Sequence, residues 1–222
     1  MASAARLVDG TNTTVVANNS LIVGYNEVGK PMILNSAGLK IECEHSTLTG
    51  SVHNNGVTGG SVTLTITDAT FAGTDATTDC KSSLGPVRYT VPGLTNAGGT
   101  THWCLEQTPN TDNVLVTPDG CTTSSASHVF TYIFEITAGI TCGFERSEAL
   151  SGTFTTGDAS AVTLTLNKAK FNTETGSGHS IFCPASGEFE QFQYQMYTDT
   201  DVTKGTWRHA ASVADPVYIV NP

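Results

Sequence analysis

The sequence predicts an all-β protein, a β-sandwich built from two related repeat units with little or no helix, and three observations lead there. An eleven-residue stretch, Ser61-Val62-Thr63-Leu64-Thr65-Ile66-Thr67-Asp68-Ala69-Thr70-Phe71, returns one hundred residues later as Ala161-Val162-Thr163-Leu164-Thr165-Leu166-Asn167-Lys168-Ala169-Lys170-Phe171, with six positions identical. In each copy Val, Leu and Ile or Leu alternate with Thr, the period of a strand that buries one face. Nowhere do apolar residues keep helical spacing for three turns. Many short apolar runs punctuated by Gly, Asn and Pro instead argue for a sandwich or barrel.

Taken in order, residues 1–12 carry no pattern and are expected to be a flexible arm. Residues 13–125 form the first unit. Val15 to Tyr25 reads as a strand or pair broken at Asn18-Asn19, Pro31 to Asn35 as a short strand, and Gly38 to His45 as a strand carrying Cys43. Leu48 to Val52 continues after a kink, and His53-Asn54-Asn55-Gly56 supplies an Asn-Gly turn before the repeated strand. Val87 to Val91, Thr101 to Gln107 and Asn113 to Thr117 are short strands of a middle insertion that the second unit lacks. Residues 126–222 form the second unit, which can also pack with the first as one domain. Its opening strand puts His128, Phe130, Tyr132, Phe134 and Ile136 on one core face. Leu150 to Thr155, Ala161 to Phe171 and His179 to Cys183 then follow the first unit's plan, and Phe189 to Tyr197 and Pro216 to Val220 close it.

Ten basic against twenty acidic residues give a net charge of −10 with no basic cluster. Nucleic acid is therefore not an expected partner, and an anionic membrane repels such a chain. No apolar run is long enough to cross a bilayer. Ala2-Ser3-Ala4 has the form of a signal-peptidase site without the segment that precedes one, so the chain reads as a mature form or one with a replaced start. Six cysteines in a Thr- and Gly-rich β chain, none in a C-x-x-C, fit an oxidising compartment. Ile41-Glu42-Cys43 with Leu48-Thr49-Gly50 matches Ile140-Thr141-Cys142 with Leu150-Ser151-Gly152, and Cys80 and Cys183 each end a unit. Equivalent cysteines should close equivalent loops, giving Cys43–Cys80, Cys142–Cys183 and, by elimination, Cys104–Cys121.

These pieces, Ile41 to Cys43, Ser46 to Gly50, Val62 to Phe71, Cys80, Ile140 to Cys142, Phe182-Cys183-Pro184 and Pro216 to Val220, resemble a group of exported, disulfide-containing actinobacterial β-proteins of unassigned function. The resemblance spans about residues 31–220 and is weakest from Lys81 to Gly120. It implies export and a β fold, and it supplies no catalytic residues.

No constellation of nucleophile, base and stabiliser emerges. There is no G-x-S-x-G. His179 and Ser180 are adjacent, and on a strand they would face apart. The six histidines lack metal-ligand spacing, and Glu188 with Glu190 is a carboxylate pair of the kind twenty acidic residues produce by chance. No cofactor is expected; calcium alone has candidate ligands, at Asp199 and Asp201 and in the loop with Asp68, Asp75 and Asp79, where acidic β loops are usually solvated turns. Phe189, Gln191, Gln193, Gln195 and Tyr197 alternate with Phe192, Tyr194 and Met196. Rings set between amides on one strand face suit a polysaccharide.

The expectation is an exported, non-enzymatic structural or adhesive protein of the cell surface, partnering itself or other envelope proteins by β-strand pairing. The alternative is a carbohydrate-binding module using the Phe189–Tyr197 strand, with a secreted hydrolase third. The unmatched segment Val15 to Val23 either completes its own sheet or lends itself to a neighbour.

Overall fold

The computed structural model describes residues 6–8, 14–26, 29–56, 61–74, 78–90, 102–109, 111–121, 129–136, 139–155, 162–174, 179–198 and 218–220, with the backbone alone at Thr90 and 218–220. Among them there is no helix. Strand β1 (Arg6–Val8) pairs antiparallel with β18 (Tyr218–Val220) as a separate ribbon. The other sixteen strands come from eight runs of chain, each interrupted once. These runs are β2 (Leu21–Asn26) with β3 (Met32–Ser36), β4 (Leu39–Cys43) with β5 (His45–Asn55), β6 (Val62–Ala72) with β7 (Cys80–Ser82), and β8 (Gly85–Thr90) with β9 (Trp103–Gln107). The second half adds β10 (Asn113–Thr117) with β11 (Phe130–Ile136), β12 (Ile140–Arg146) with β13 (Leu150–Phe154), β14 (Thr163–Leu166) with β15 (Ala169–Thr173), and β16 (Ser186–Phe189) with β17 (Phe192–Tyr197).

Two closed antiparallel rings of eight strands result. Strands β2, β5, β6, β9, β10, β13, β14 and β17 make one, and β3, β4, β7, β8, β11, β12, β15 and β16 the other. The eight runs follow the same order round both rings, and one hydrophobic cluster draws on both, with Leu48, Ile66 and Leu164 from the first and Phe134, Phe144 and Phe171 from the second. The rings are therefore stacked along one axis as a single meander wall. This differs from the expected sandwich. Period-two alternation reads the same on a sandwich face and a barrel wall, and the difference lies in whether the first and last runs pair. They do: β17 lies against β2 from Tyr194↔Asn26 to Tyr197↔Val23, and β16 against β3 at Phe189↔Leu34. The N-terminal apolar segment thus completes its own sheet.

The repeated segments occupy matching places. Runs two and three (β4 to β7) carry the first copy, and runs six and seven (β12 to β15) carry the second, four positions round a ring of eight. Val62, Leu64, Ile66 and Val162, Leu164, Leu166 all point into the core. Ile66 is followed inward by Ala69, three residues on, because β6 carries an extra residue where Thr49 faces Asp68 and Gly50 faces Ile66. Leu166 and Ala169 repeat the step. Such a bulge keeps inward residues inward while bending the wall. The bend needs glycine: a Cβ on Gly50 would lie within 3.0 Å of the Thr65 carbonyl oxygen, and one on Gly152 would do the same to the Thr165 carbonyl oxygen.

The three disulfides are Cys43–Cys80, Cys104–Cys121 and Cys142–Cys183, the pairs that the repeat selects. The N-terminal segment, expected to be an arm through residue 12, instead forms β1 at Arg6–Val8. Leu7 is buried, and Asn55 holds it: Oδ1 accepts from the Leu7 N–H at 2.7 Å, while Nδ2 donates to the carbonyls of Leu7 at 2.9 Å and Val16 at 2.6 Å. The outward wall carries Thr47, Thr49, Ser51, Thr67 and Lys170, and the inward wall is apolar. A lipid-spanning barrel has the opposite arrangement, an apolar band outside. No helix in the described residues is long and apolar enough to cross a membrane.

Candidate functional site

Two places concentrate features that packing alone does not explain. The first is a turn at the end of the second ring. Between β15 and β16 the chain makes a β-turn at Ser180–Cys183, closed by the Cys183 N–H donating to the Ser180 carbonyl at 2.9 Å. Ile181 and Phe182 occupy its two corners and are 92% and 77% exposed. Gly, Pro, Asn, Asp and Ser dominate such positions because they favour the geometry or satisfy its polar groups. Here two large apolar side chains stand there instead. The turn is braced from three sides. The Ser180 N–H donates to Thr141 O at 2.9 Å, Cys183 is bonded to Cys142 of β12, and the Thr173 N–H donates to Ala185 O at 3.0 Å.

Behind the turn, His179 Nδ1 lies 3.2 Å from the Gly143 nitrogen and 3.1 Å from its carbonyl oxygen. Glu174 sits beside them, and burial, with the Glu145 carboxylate as a second cause, raises its pKa. Residues 179–183 were expected as a strand, and the turn replaces it. The local signal was Gly176-Ser177-Gly178 upstream and Pro184 downstream, which mark a loop and not a strand.

The second place is inside the barrel. Where the runs are interrupted, the wall encloses a cavity of about 50 Å³, lined among others by Trp103, Phe130, Tyr132, Leu166, Ala169 and Phe192. Three polar groups in this aromatic interior are shut off from solvent with no hydrogen-bond partner: Trp103 Nε1, Tyr132 Oη and Tyr89 Oη. Leaving a buried donor unpaired costs about 1–3 kcal/mol, and burial holds both phenols in their protonated form far into alkali. Tyr194, by contrast, shares a hydrogen bond of 2.5 Å with Ser46 Oγ.

The strand expected to hold a polysaccharide does not present its rings together. Phe189 is buried in the core against Tyr132, Phe171 and Phe192, because the run is broken at Glu190–Gln191 and the inward phase resets there. Gln193, Gln195 and Tyr197 do share the outer face of β17. Gln193 Nε2 donates to Thr165 Oγ1 at 3.2 Å and its Oε1 accepts from Lys30, while the Tyr197 hydroxyl donates to Gln195 at 2.7 Å. Tyr197 is packed with Val23 and Tyr25 in a second buried cluster, so it offers no open stacking face. Gln191 is exposed between the strands.

Glu188 and Glu190 both pair with Lys168, and the hydrogen bond from Lys168 lowers the Glu190 pKa, the reverse of what a general acid needs. Asp199, Asp201 and Asp75 lie outside the described residues, and among the described residues no group of three or more His, Cys, Asp or Glu side chains is placed to hold a metal. Comparison of the chain with protein-family models, with curated proteins and with solved structures finds no match.

Proposed function

We propose that this protein is an exported, non-enzymatic binding module of the cell surface, and that it attaches to another envelope protein through the Ile181–Phe182 turn. The observation that carries this is two exposed apolar side chains at the corners of a turn fixed by a disulfide and backbone hydrogen bonds. A rigid apolar tip loses little conformational freedom on contact, so more of its burial appears as affinity. Three disulfides suit an oxidising location, in keeping with the exported actinobacterial β-proteins that the sequence resembles. The net charge of −10 favours a protein partner over an anionic lipid surface. Every strand of both rings already has two neighbours, so contact through side chains replaces strand addition in this reading.

The test is retention on isolated envelopes of the producing cell, with and without protease treatment of the envelopes. Burying one large apolar side chain contributes about 1.5–3 kcal/mol, so Phe182→Ser should weaken retention about tenfold to a hundredfold. Ile181→Ser combined with it should abolish retention while the melting temperature stays the same. Unchanged retention of the double variant would rule the reading out.

A further inference from the structure

We propose that the attachment surface extends from the Ile181–Phe182 turn across the end of the second ring to Leu84, and that the partner is a protein with an uncharged apolar face broad enough to touch both sides of that end. The proposal rests on the reading of the Ile181–Phe182 turn as the point of attachment.

Among the described residues five large apolar side chains are exposed, and three of them, Leu84, Ile181 and Phe182, lie on connections at this end. Four connections close it, one for each hairpin of the second ring: β3–β4, β7–β8, β11–β12 and β15–β16. Their order round the ring sets the β7–β8 connection opposite the β15–β16 connection. These two are also the corresponding connections of the two repeats, since each follows the repeated stretch, which ends at Phe71 in one copy and Phe171 in the other. The β7–β8 hairpin turns through Ser83 and Leu84, because Ser82 pairs with Gly85. Ser82 Oγ accepts from the Leu84 N–H at 3.1 Å and donates to the Gly85 carbonyl at 2.8 Å, so a hydroxyl braces this turn as the disulfide braces the other. Leu84 is 61% exposed at the second corner. Two-residue hairpin turns favour Asn, Asp or Gly, so the turn itself does not call for a leucine.

Eight strands spaced about 4.8 Å and tilted about 40° close into a ring about 15 Å across, and the two apolar turns stand on opposite sides of it. A cleft that clasps one side chain cannot meet both. Ala37-Gly38, Ser83-Leu84, Thr137-Ala138-Gly139 and Ser180-Ile181-Phe182-Cys183 hold no Asp, Glu, Lys or Arg. The matching face is therefore uncharged, because a charge set against them would lose its water without gaining a partner. The same turns hold no Trp or Tyr. Trp, Tyr, Lys and Arg are the residues that anchor proteins at a lipid surface, so their absence favours a protein partner.

Retention of the whole disulfide-bonded chain on isolated envelopes of the producing cell tests this, with phosphatidylcholine vesicles alongside. Leu84→Ser should weaken retention about fivefold to fiftyfold at an unchanged melting temperature. In the double variant its loss should multiply that of Phe182→Ser, since distant sites add in free energy. Leu115→Ser, which alters an exposed leucine on the outer wall of β10, should leave retention as it was, and the vesicles should bind nothing. If Phe182→Ser weakens retention and Leu84→Ser does not, the extension fails while the single-turn reading stands; if neither does, both fail. Equal losses for Leu84→Ser and Leu115→Ser would mean indiscriminate apolar adhesion, and vesicle binding that Leu84→Ser weakens would make the partner a lipid surface. Either result overturns the proposal.

Discussion

Replacing Gly50 or Gly152 with alanine probes the bend that both copies of the repeat share. An added Cβ at either position meets the backbone of the facing strand inside the distance that real Cβ atoms keep. At Gly50 the neighbours are Thr65 O, Thr65 C at 3.0 Å and Ile66 Cα at 3.1 Å; at Gly152 they are Thr165 O, Thr165 C at 3.2 Å and Leu166 Cδ2 at 3.0 Å. Most of these atoms belong to a hydrogen-bonded strand, so relief requires opening the ladder and not turning a side chain. Overpacking with the loss of one ladder bond gives about 2–4 kcal/mol. For a chain of this length that is a fall in melting temperature of about 5–15 °C.

Gly24→Ala is the control. Its Cβ would meet Met196 Sδ at 2.9 Å and Tyr194 Cβ at 3.2 Å, and a flexible thioether can retreat. Its cost should stay below about 1.5 kcal/mol. Equilibrium denaturation followed by near-ultraviolet circular dichroism, with equal denaturant slopes for all variants, gives the three values. If Gly50→Ala and Gly152→Ala differed widely, or cost no more than Gly24→Ala, the bulges would not be equivalent structural necessities.

Other consequences are more direct. Leu64→Ala and Leu164→Ala, both fully buried, should each cost about 2–5 kcal/mol, while the exposed Thr67→Ala costs little in the same melts; Thr63 is too buried to be the outward reference. Replacing Cys142 and Cys183 with serine removes a loop closure over 41 residues, worth about 4 kcal/mol in the chain-entropy model, against about 3 kcal/mol for the 17-residue separation of Cys104 and Cys121. In alkali, burial raises the Tyr89, Tyr132 and Tyr194 pKa values above that of an unfolded tyrosine. The unfolded chain then releases protons that the folded one keeps, so stability is full below about pH 10 and falls above it. Urea midpoints that stay flat beyond that pH would contradict the burial. Tyr132→Phe should be neutral or stabilising because its hydroxyl has no partner, whereas Tyr194→Phe loses the bond to Ser46 and about 1 kcal/mol. Removing residues 1–25 takes away nearly all of β2 and should leave no cooperative melt, whereas strand exchange would leave a folded monomer.

The strands were legible because their residues alternate, and the disulfides because the cysteines ride on a repeat. Closure was not legible. It depends on β17 meeting β2 across nearly the whole chain, and no local period encodes a contact of that range. The bulge was present in the letters: Ala69 and Phe71 are identical in the second copy yet out of step with Val62, Leu64 and Ile66. An extra residue at Thr67 reconciles the two phases. Phe189 faces the core for a related reason: unbroken alternation through Glu190 and Gln191 would turn it outward, and the run is interrupted there. The exposed turn was hidden because apolar residues beside a cysteine read as core. Gly176-Ser177-Gly178 and Pro184 mark a loop there, and the hydrogen bond across Ser180–Cys183 places the two side chains at its corners.

Closure also constrains where recognition can occur. An open sheet can bind by adding a strand along its edge, using backbone groups that any peptide matches. In the two rings those groups are already used, β2 being held by β5 on one side and β17 on the other. What is left to vary is the set of turns at the two ends and the space enclosed between them, as in other proteins that place function on loops carried by a rigid scaffold. The unusual features fall in those two places. The apolar turn projects from an end, braced so that its exposure is maintained. The unpaired groups, Trp103 Nε1, Tyr89 Oη and Tyr132 Oη, are sealed inside the wall away from water. Both arrangements are costly for stability alone, since exposed Ile and Phe invite aggregation and unpaired buried donors forfeit hydrogen bonds. Polar turn corners and phenylalanine in place of Tyr132 would each lower that cost, so neither departure is explained by folding stability.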